Sequence, residues 1–459
     1  MIKFDDGVKW PDYLLNSSLF MKRIILISVS ILVVILIFIS GGLEFPKYAA
    51  RMPYLILAFG IEYYVWLSFK NTTGKWGRFI HRFFWIPDLL LLSFFIIARI
   101  IPFQLWNGPL RTYYLGLVLV IYLPRIIPFP FLLIKDLAYI SGKVLHQSFS
   151  RFENRMLKAG INFSLLAFIL LMYGVLFGVY RFKVYDEQVK IEKLPPSFEG
   201  LRIVQISDLH LGSWISKKPL RDAVTEINNL YPDIIVFTGD MVNFTTDEAF
   251  RFEKILKSIK APLGVYAILG NHDYGDYISW PDSLSKQRNL FALGQFYNKI
   301  GWRLLRNESV VIYKGSDSLL MIGVENWSVK KLYGQRGNVK KAIGTHKTLP
   351  LEILLTHDPS HWQFEITKDF PDIDLTLSGH THGFQMGINT KWFQFSPAQW
   401  MYKYWGGLYQ RNGDGGKMQY LYVNRGLGHI GYPGRIGMNP EITIITLTGM
   451  LSTDQKKVK

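Results

Sequence analysis

The chain has 459 residues, enough for two units and a sizeable core; 49% are hydrophobic, 15% aromatic, and the formal net charge is +17. The absence of cysteine excludes disulfides, thiolate metal sites and cysteine nucleophiles. Residues 1–183 hold 20 of the 52 Lys and Arg against 8 of the 35 Asp and Glu, so the excess charge flanks apolar runs and, with no nucleic-acid motif beside it, points to an anionic membrane surface and not to nucleic acid.

In chain order, five stretches are long and apolar enough to be read as membrane spans, which need about 20 residues: 24–39, 54–69, 85–101, 115–134 and 161–180. The fourth carries Pro124, Arg125, Pro128 and Pro130, so a kink or early end is expected there. Glu62, Asp88 and Arg99 fall in or near these runs and are expected to snorkel or pair near helix ends. With five spans, the loops rich in Lys and Arg (the N-terminal tail, 70–82 and 135–158) fall on one side. The positive-inside rule assigns that side to the cytoplasm of a bacterial-type inner membrane and turns the C-terminal half outward.

The pattern changes after Tyr180. Strands are expected at 184–191, 201–206, 234–237, 265–269, 353–355 and 375–377, with helices at 220–230 and 250–259. The segment 280–309 offers a helical cap. Alternation of strand and helix indicates an α/β layered domain over 184–459, preceded by a helical membrane region over 1–183. Polar residues recur just after the apolar runs, where open α/β sheets gather their ligands.

Those residues form a constellation. Asp208 and His210 lie two apart, and His380 and His382 repeat the spacing, so in extended backbone each pair would point the same way. Asp240 follows a glycine, as does Asn271, and His357 follows another apolar run. Seven ligands exceed one tetrahedral zinc and suit two divalent cations, with Asp240 the candidate bridge. Mixed nitrogen and oxygen donors favour manganese, then zinc or iron, over calcium. Such a pair of ions clamps an in-line displacement at phosphorus, and the adjacent His272 is placed to protonate the leaving oxygen or to hydrogen-bond the phosphoryl group.

The order Asp-x-His, Gly-Asp, Gly-Asn-His-Asp, His, Gly-His-x-His resembles the calcineurin-like metallophosphoesterases over about residues 201–447. The resemblance implies a four-layer αββα sandwich. It implies one metal on Asp208, His210, Asp240 and His382, the other on Asp240, Asn271, His357 and His380, and catalytic roles for His272 and Asp240. It is nearest to membrane-attached phosphohydrolases, including the branch with UDP-2,3-diacylglucosamine pyrophosphatases. Phe384 departs from the second glycine that often follows the last motif.

The expected activity is therefore hydrolysis of a phosphodiester or pyrophosphate on a membrane-associated or lipid-linked substrate. The alternatives are a tethered phosphoesterase with a soluble substrate and a catalytically silent metal-binding receptor. Two regions bear on the substrate. The aromatic segment 392–409 reads either as loop packing or as a belt at the lipid interface. In the glycine-rich segment 424–440, Arg435 and Arg425 are candidate phosphate contacts.

Overall fold

The computed structural model describes residues 52–70, 75–89, 106, 108–346, 348–390, 392–412 and 417–449. The first expected span, 24–39, lies outside them, as does most of the third, including Arg99. The chain divides into two compact units: residues up to 100 with 117–170, and residues 101–116 with 171 onward.

The helices of the N-terminal region are apolar outside as well as in. Helix Ser150–Tyr173 leaves Phe163, Leu165, Leu166 and Ile169 exposed, which in water would be unfavourable and in lipid is the expected surface. Among the described residues, two stretches suffice to cross a bilayer, Gly108–Leu145 and Ser150–Gly178. The expected proline break is real. Helix Gly108–Ile126 ends and Pro128 opens helix Pro128–Leu145. Pro128 has no N–H for the Pro124 carbonyl, and the Ser164 hydroxyl donates to that carbonyl instead, at 2.7 Å. Glu62 and Asp88 pair with Arg125 at 3.4 and 2.8 Å rather than reaching for solvent.

Two six-stranded sheets make the catalytic unit. The first runs β1 (Lys183–Ile191), β14 (Glu441–Gly449), β2 (Arg202–Ile206), β3 (Ile234–Phe237), β4 (Val265–Ala267), β5 (Arg303–Leu304). The second runs β12 (Gly407–Asn412), β13 (Met418–Val423), β9 (Leu375–Ser378), β8 (Glu352–Leu355), β7 (Asp317–Gly323), β6 (Glu308–Lys314), and β10 (Ile388–Asn389) and β11 (Gln394–Phe395) form a separate antiparallel pair. Strands β2 to β5 are mutually parallel, as are β7, β8, β9 and β13.

Alternation along the strands builds the layers. Ile203, Val236, Met321, Ile353 and Leu377 turn inward and fill the space between the sheets. Val204, Ile235 and Phe237 face the other way, against Leu220, Val224 and Ile227 of helix Lys218–Asn229 and against helix Ser283–Ile300. Across the second sheet, Leu320, Leu354 and Leu421 pack on Val339 and Trp362. This is the four-layer αββα sandwich that the resemblance implied. Helix Ser283–Ile300 buries Leu293, Phe296 and Tyr297 on the outer face of the first sheet, so it is a layer of the sandwich and not a cap over the site. The expected helix at 250–259 is two single turns, Asp247–Phe250 and Glu253–Leu256.

Candidate metal centre

All seven expected ligands leave the C-terminal ends of parallel strands: Asp208 and His210 after β2, Asp240 after β3, Asn271 after β4, His357 after β8, His380 and His382 after β9. Two clusters form, Asp208 with His210 and His382, and Asp240 with His357 and His380; within each, the candidate ligand atoms lie within 4.8 Å of one another. The clusters adjoin. The His210 Nε2 atom is 3.0 Å from His382 Nε2 and 3.5 Å from Asp240 Oδ2, which is 3.2 Å from His357 Nε2. Asp240 thus touches a histidine of each cluster, the position expected of a bridge.

The convergence does not come from extended backbone. Asp208, His210, Asp240, His380 and His382 all have positive φ, between +45° and +73°. Left-handed non-glycine residues are costly and collect where function requires them. Here each one turns a side chain back over the end of its strand. Gly239 supplies the space: at φ +99°, an added Cβ would sit 2.5 Å from the Gly270 nitrogen and 2.8 Å from His357 Nδ1.

Hydrogen bonds fix which atom of each ligand faces the cluster. His357 Nδ1 donates to the Thr238 carbonyl at 2.7 Å, which turns Nε2 toward Asp240. The Asn271 side-chain nitrogen donates to the Tyr277 hydroxyl at 2.7 Å, and its buried Oδ1 has no protein partner. His380 N–H donates to both Asp208 oxygens, at 3.0 and 3.2 Å. Asp273, the last residue of Gly-Asn-His-Asp, accepts the N–H groups of Gly270, Asp240, Met241 and Val242 and so ties the β3 and β4 loops together.

The electrostatics suit cation binding. Burial pushes the His210 and His380 imidazoles down to about 3 and about 4 and holds His382 well below its ordinary value, so these rings are neutral with lone pairs available. Burial pushes Asp208 up to about 6. It works upward on Asp240 too, but His357, His272 and His210 outweigh it and hold that carboxyl well below the usual range. On His357, burial works downward and the Asp240 charge prevails, raising it to about 10.

Above the ligands lies a cavity of about 180 Å³. His272 lines it, anchored by its N–H to Asp240 Oδ1 at 2.8 Å and by Nδ1 to the Asn243 carbonyl at 2.8 Å. Tyr402 faces it from the other side, its hydroxyl 2.8 Å from His380 Nε2. The Lys330 ammonium rests over the Tyr402 ring, 4.7 Å from its centroid, and makes no ion pair among the described residues. Phe384, also left-handed at +55°, is half-exposed on the rim.

The two arginines expected at the substrate lie elsewhere. Arg425 is buried against Glu441 at 2.6 Å. One terminal nitrogen of Arg435, Nη2, donates to the carbonyls of Arg425, Gly426 and Gly428 at 2.6–2.9 Å. Both guanidiniums are occupied in holding the 424–440 turns behind His382, and neither lines the cavity. The sequence shows their charge but not these acceptors. The sequence alone does not mark Asp273 or Tyr402 as site residues, nor Lys330 as their neighbour; Asp273 alone of the three has a local signal, its place in the motif.

Residues 201–384 match the family model described as calcineurin-like phosphoesterase, and 47–179 match that of a probable calcineurin-like phosphoesterase, transmembrane domain. A transmembrane protein with metallophosphoesterase domain from Danio rerio is 30% identical over 318 residues, 67% of this chain and 67% of that protein. An uncharacterized metallophosphoesterase of Bacillus subtilis is 30% identical over 266 residues, 57% of this chain and 84% of that one. A UDP-2,3-diacylglucosamine pyrophosphatase of Chlamydia muridarum is 31% identical over 283 residues, 51% of this chain and 81% of that one. With the ligand geometry and these matches together, the chain belongs to the calcineurin-like phosphoesterases, a family of metal-dependent phosphoester hydrolases, and it carries that family's transmembrane region.

Proposed function

We propose that this protein hydrolyses a phosphodiester or pyrophosphate bond in a membrane-associated, lipid-linked substrate, using two divalent cations. The observation that carries the reading is the pair of adjoining clusters, with Asp240 touching both. Asp208, His210, Asp240 and His382 would hold one ion, and Asp240, Asn271, His357 and His380 the other. The unpartnered Asn271 Oδ1 and the neutral imidazoles fit that role, and the donors suit Mn2+ best, then Zn2+ or Fe2+. Bound there, the ions would supply a hydroxide-like water at neutral pH and charge to neutralise the phosphoryl oxygens. The protein's own part is positional. His272, held at Nδ1, keeps Nε2 for the cavity, where in its protonated form it donates to the leaving oxygen or to the phosphoryl group.

The transmembrane region and the diacylated nucleotide substrate named for the Chlamydia relative support a lipid-linked substrate. We read residues 1–183 as the membrane region and 184–459 as the catalytic region, facing outward from a bacterial-type inner membrane by the positive-inside bias. Protease protection of the catalytic region in right-side-out vesicles would refute that orientation.

The test of function is a hydrolysis panel with the purified full chain in detergent and Mn2+: soluble esters, phospholipids and nucleotide-linked lipids. Turnover is expected with both phosphodiester or pyrophosphate chemistry and metal dependence, and Asn271→Ala or His272→Asn should cost about a hundredfold or more. Absence of hydrolysis on every ester at saturating Mn2+, with metal analysis finding an empty protein, overturns the reading.

A further inference from the structure

A chain of buried contacts leads from His272 to a residue far away in sequence. The carbonyl that accepts from His272 Nδ1 belongs to Asn243. The backbone N–H of Asn243 donates to Glu248 Oε2 at 2.6 Å, and that of Phe244 donates to the same oxygen at 3.4 Å. The other Glu248 oxygen accepts from Arg111 Nη2 at 3.1 Å, and both side chains are about 5% exposed. Arg111 also lies over the Phe244 ring, 4.5 Å from its centroid. A second strut runs alongside: Thr112 Oγ1 is 3.2 Å from Ser213 Oγ, which accepts from the Asn243 side-chain nitrogen at 2.9 Å.

The approach is tight on both sides. A Cβ at Gly212 would strike the Glu248 carboxylate, and one at Gly108 would strike the Gly212 carbonyl. Arg111 and Thr112 sit in the first turns of helix Gly108–Ile126, one of the stretches long and apolar enough to cross a bilayer, and residues 101–116 belong to the catalytic unit. A peptide carbonyl that must meet an imidazole within hydrogen-bond range tolerates little displacement. An error near 1 Å at a catalytic group costs about a hundredfold.

We infer that Arg111 and Glu248 are positioning residues for His272: the start of a membrane helix, through a buried ion pair, sets the Asn243 carbonyl that aims the catalytic imidazole. The inference rests on the role proposed for His272. It makes that helix part of the catalytic apparatus as well as an anchor. Glu248 accepts two backbone N–H groups with one oxygen and the guanidinium with the other, so loss of Arg111 releases one side of the carboxylate and lets the 243–244 turn shift.

The test uses the full chain in detergent with Mn2+ and two diesters, one with an activated nitrophenolate leaving group and one with an alkoxide leaving group. A residue that aims a proton donor matters most when the leaving oxygen needs its proton. Arg111→Met and Glu248→Gln should lower kcat about tenfold on the alkyl diester and about twofold on the nitrophenyl diester. KM and bound metal should stay unchanged, and Arg111→Lys should restore most of the loss. His272→Asn should show the same leaving-group bias more strongly, and Arg111→Met added to it should cost nothing further. Equal losses on both diesters, or full additivity with His272→Asn, would reduce the pair to a structural contact and overturn the inference. If His272→Asn itself leaves both rates intact, it is the reading of His272 that fails.

Discussion

Within the catalytic unit, the floor of the site and the wall around it are built on opposite terms. The floor is buried apart from the partly exposed His380, five of its seven ligands hold left-handed backbone, and Asp273 and the Thr238 carbonyl lock the loops that carry them. The wall is open: Phe384 and Met401 are about half exposed and Trp400 more so, and the Lys330 ammonium is steadied by an aromatic face instead of a carboxylate. A floor of this kind fixes charge and geometry before any substrate arrives, so it should determine the rate of chemistry on every ester. A wall of this kind can only sort esters from one another. The contrast teaches where to look for each property.

The sharpest way to break the contrast is at the bridge. Asp240→Asn leaves the shape of the floor but removes the charge that both clusters share, and kcat should fall about a thousandfold or more on every ester, soluble or lipid-linked. Metal content measured on the same preparation should drop in parallel. A loss confined to lipid-linked substrates would mean that floor and wall are not separable.

The Lys330 cation makes the next largest test, now on the wall. With Arg425 and Arg435 buried and occupied, Lys330, whose ammonium lies over the ring of the cavity-lining Tyr402, is the cation to test for contact with a second phosphoryl group. Lys330→Met should raise KM for a disubstituted diphosphate about tenfold while leaving a simple phosphodiester within about twofold. Steady-state kinetics on the two substrates decide it, and an equal rise on both would place Lys330 outside substrate recognition.

These two regions also differ in how far they could be read from the chain alone. Each floor ligand follows an apolar strand directly, so a local pattern located it, and β3 falls at the expected residues. The paired spacing works otherwise than expected, since positive φ and not extended backbone turns Asp208 with His210, and His380 with His382. The wall has no such local pattern. Lys330 meets Tyr402 across 72 residues, and at the edge of the floor Arg111 meets Glu248 across 137 with as little local signal. Conversely, Arg425 and Arg435 had the composition of a phosphate site, yet Glu441 and three carbonyls satisfy them. Charge is visible in a sequence; the partner that neutralises it is not.

A smaller effect probes the edge of the floor through pH. Burial pushes the Glu248 carboxyl up from an ordinary 4.5 to about 7. A group with a raised folded-state pKa binds its proton more tightly folded than unfolded. Its contribution to stability is therefore fully present below about 4.5 and lost as the pH rises through about 7. Glu248→Gln cannot ionise, so the melting temperature of the natural protein relative to this variant should decline from pH 5 to pH 7.5 by a few degrees. A flat difference over that range would show that the Arg111 pairing keeps the carboxylate charged throughout.

The smallest expected effect separates the wall from the bilayer. Of the aromatic segment 392–409, Tyr402 and Trp405 are buried, and the Trp405 ring packs in one cluster with the cavity-lining Ala398 and Tyr402, so replacing Trp405 would disturb the site. Trp392 and Trp400, by contrast, are 89% and 74% exposed, and Met401 beside Trp400 lines the cavity. Indole rings favour the headgroup level of a bilayer, and at this place they would hold the mouth of the cavity against the surface that presents the substrate. Trp400→Ala and Trp392→Ala should therefore slow turnover of a lipid-linked ester in vesicles about threefold each. The same variants should leave a soluble ester unchanged, because neither ring lines the cavity. Equal slowing on both would return this segment to ordinary loop packing, whereas slowing only in vesicles would make the wall a membrane contact as well as a filter.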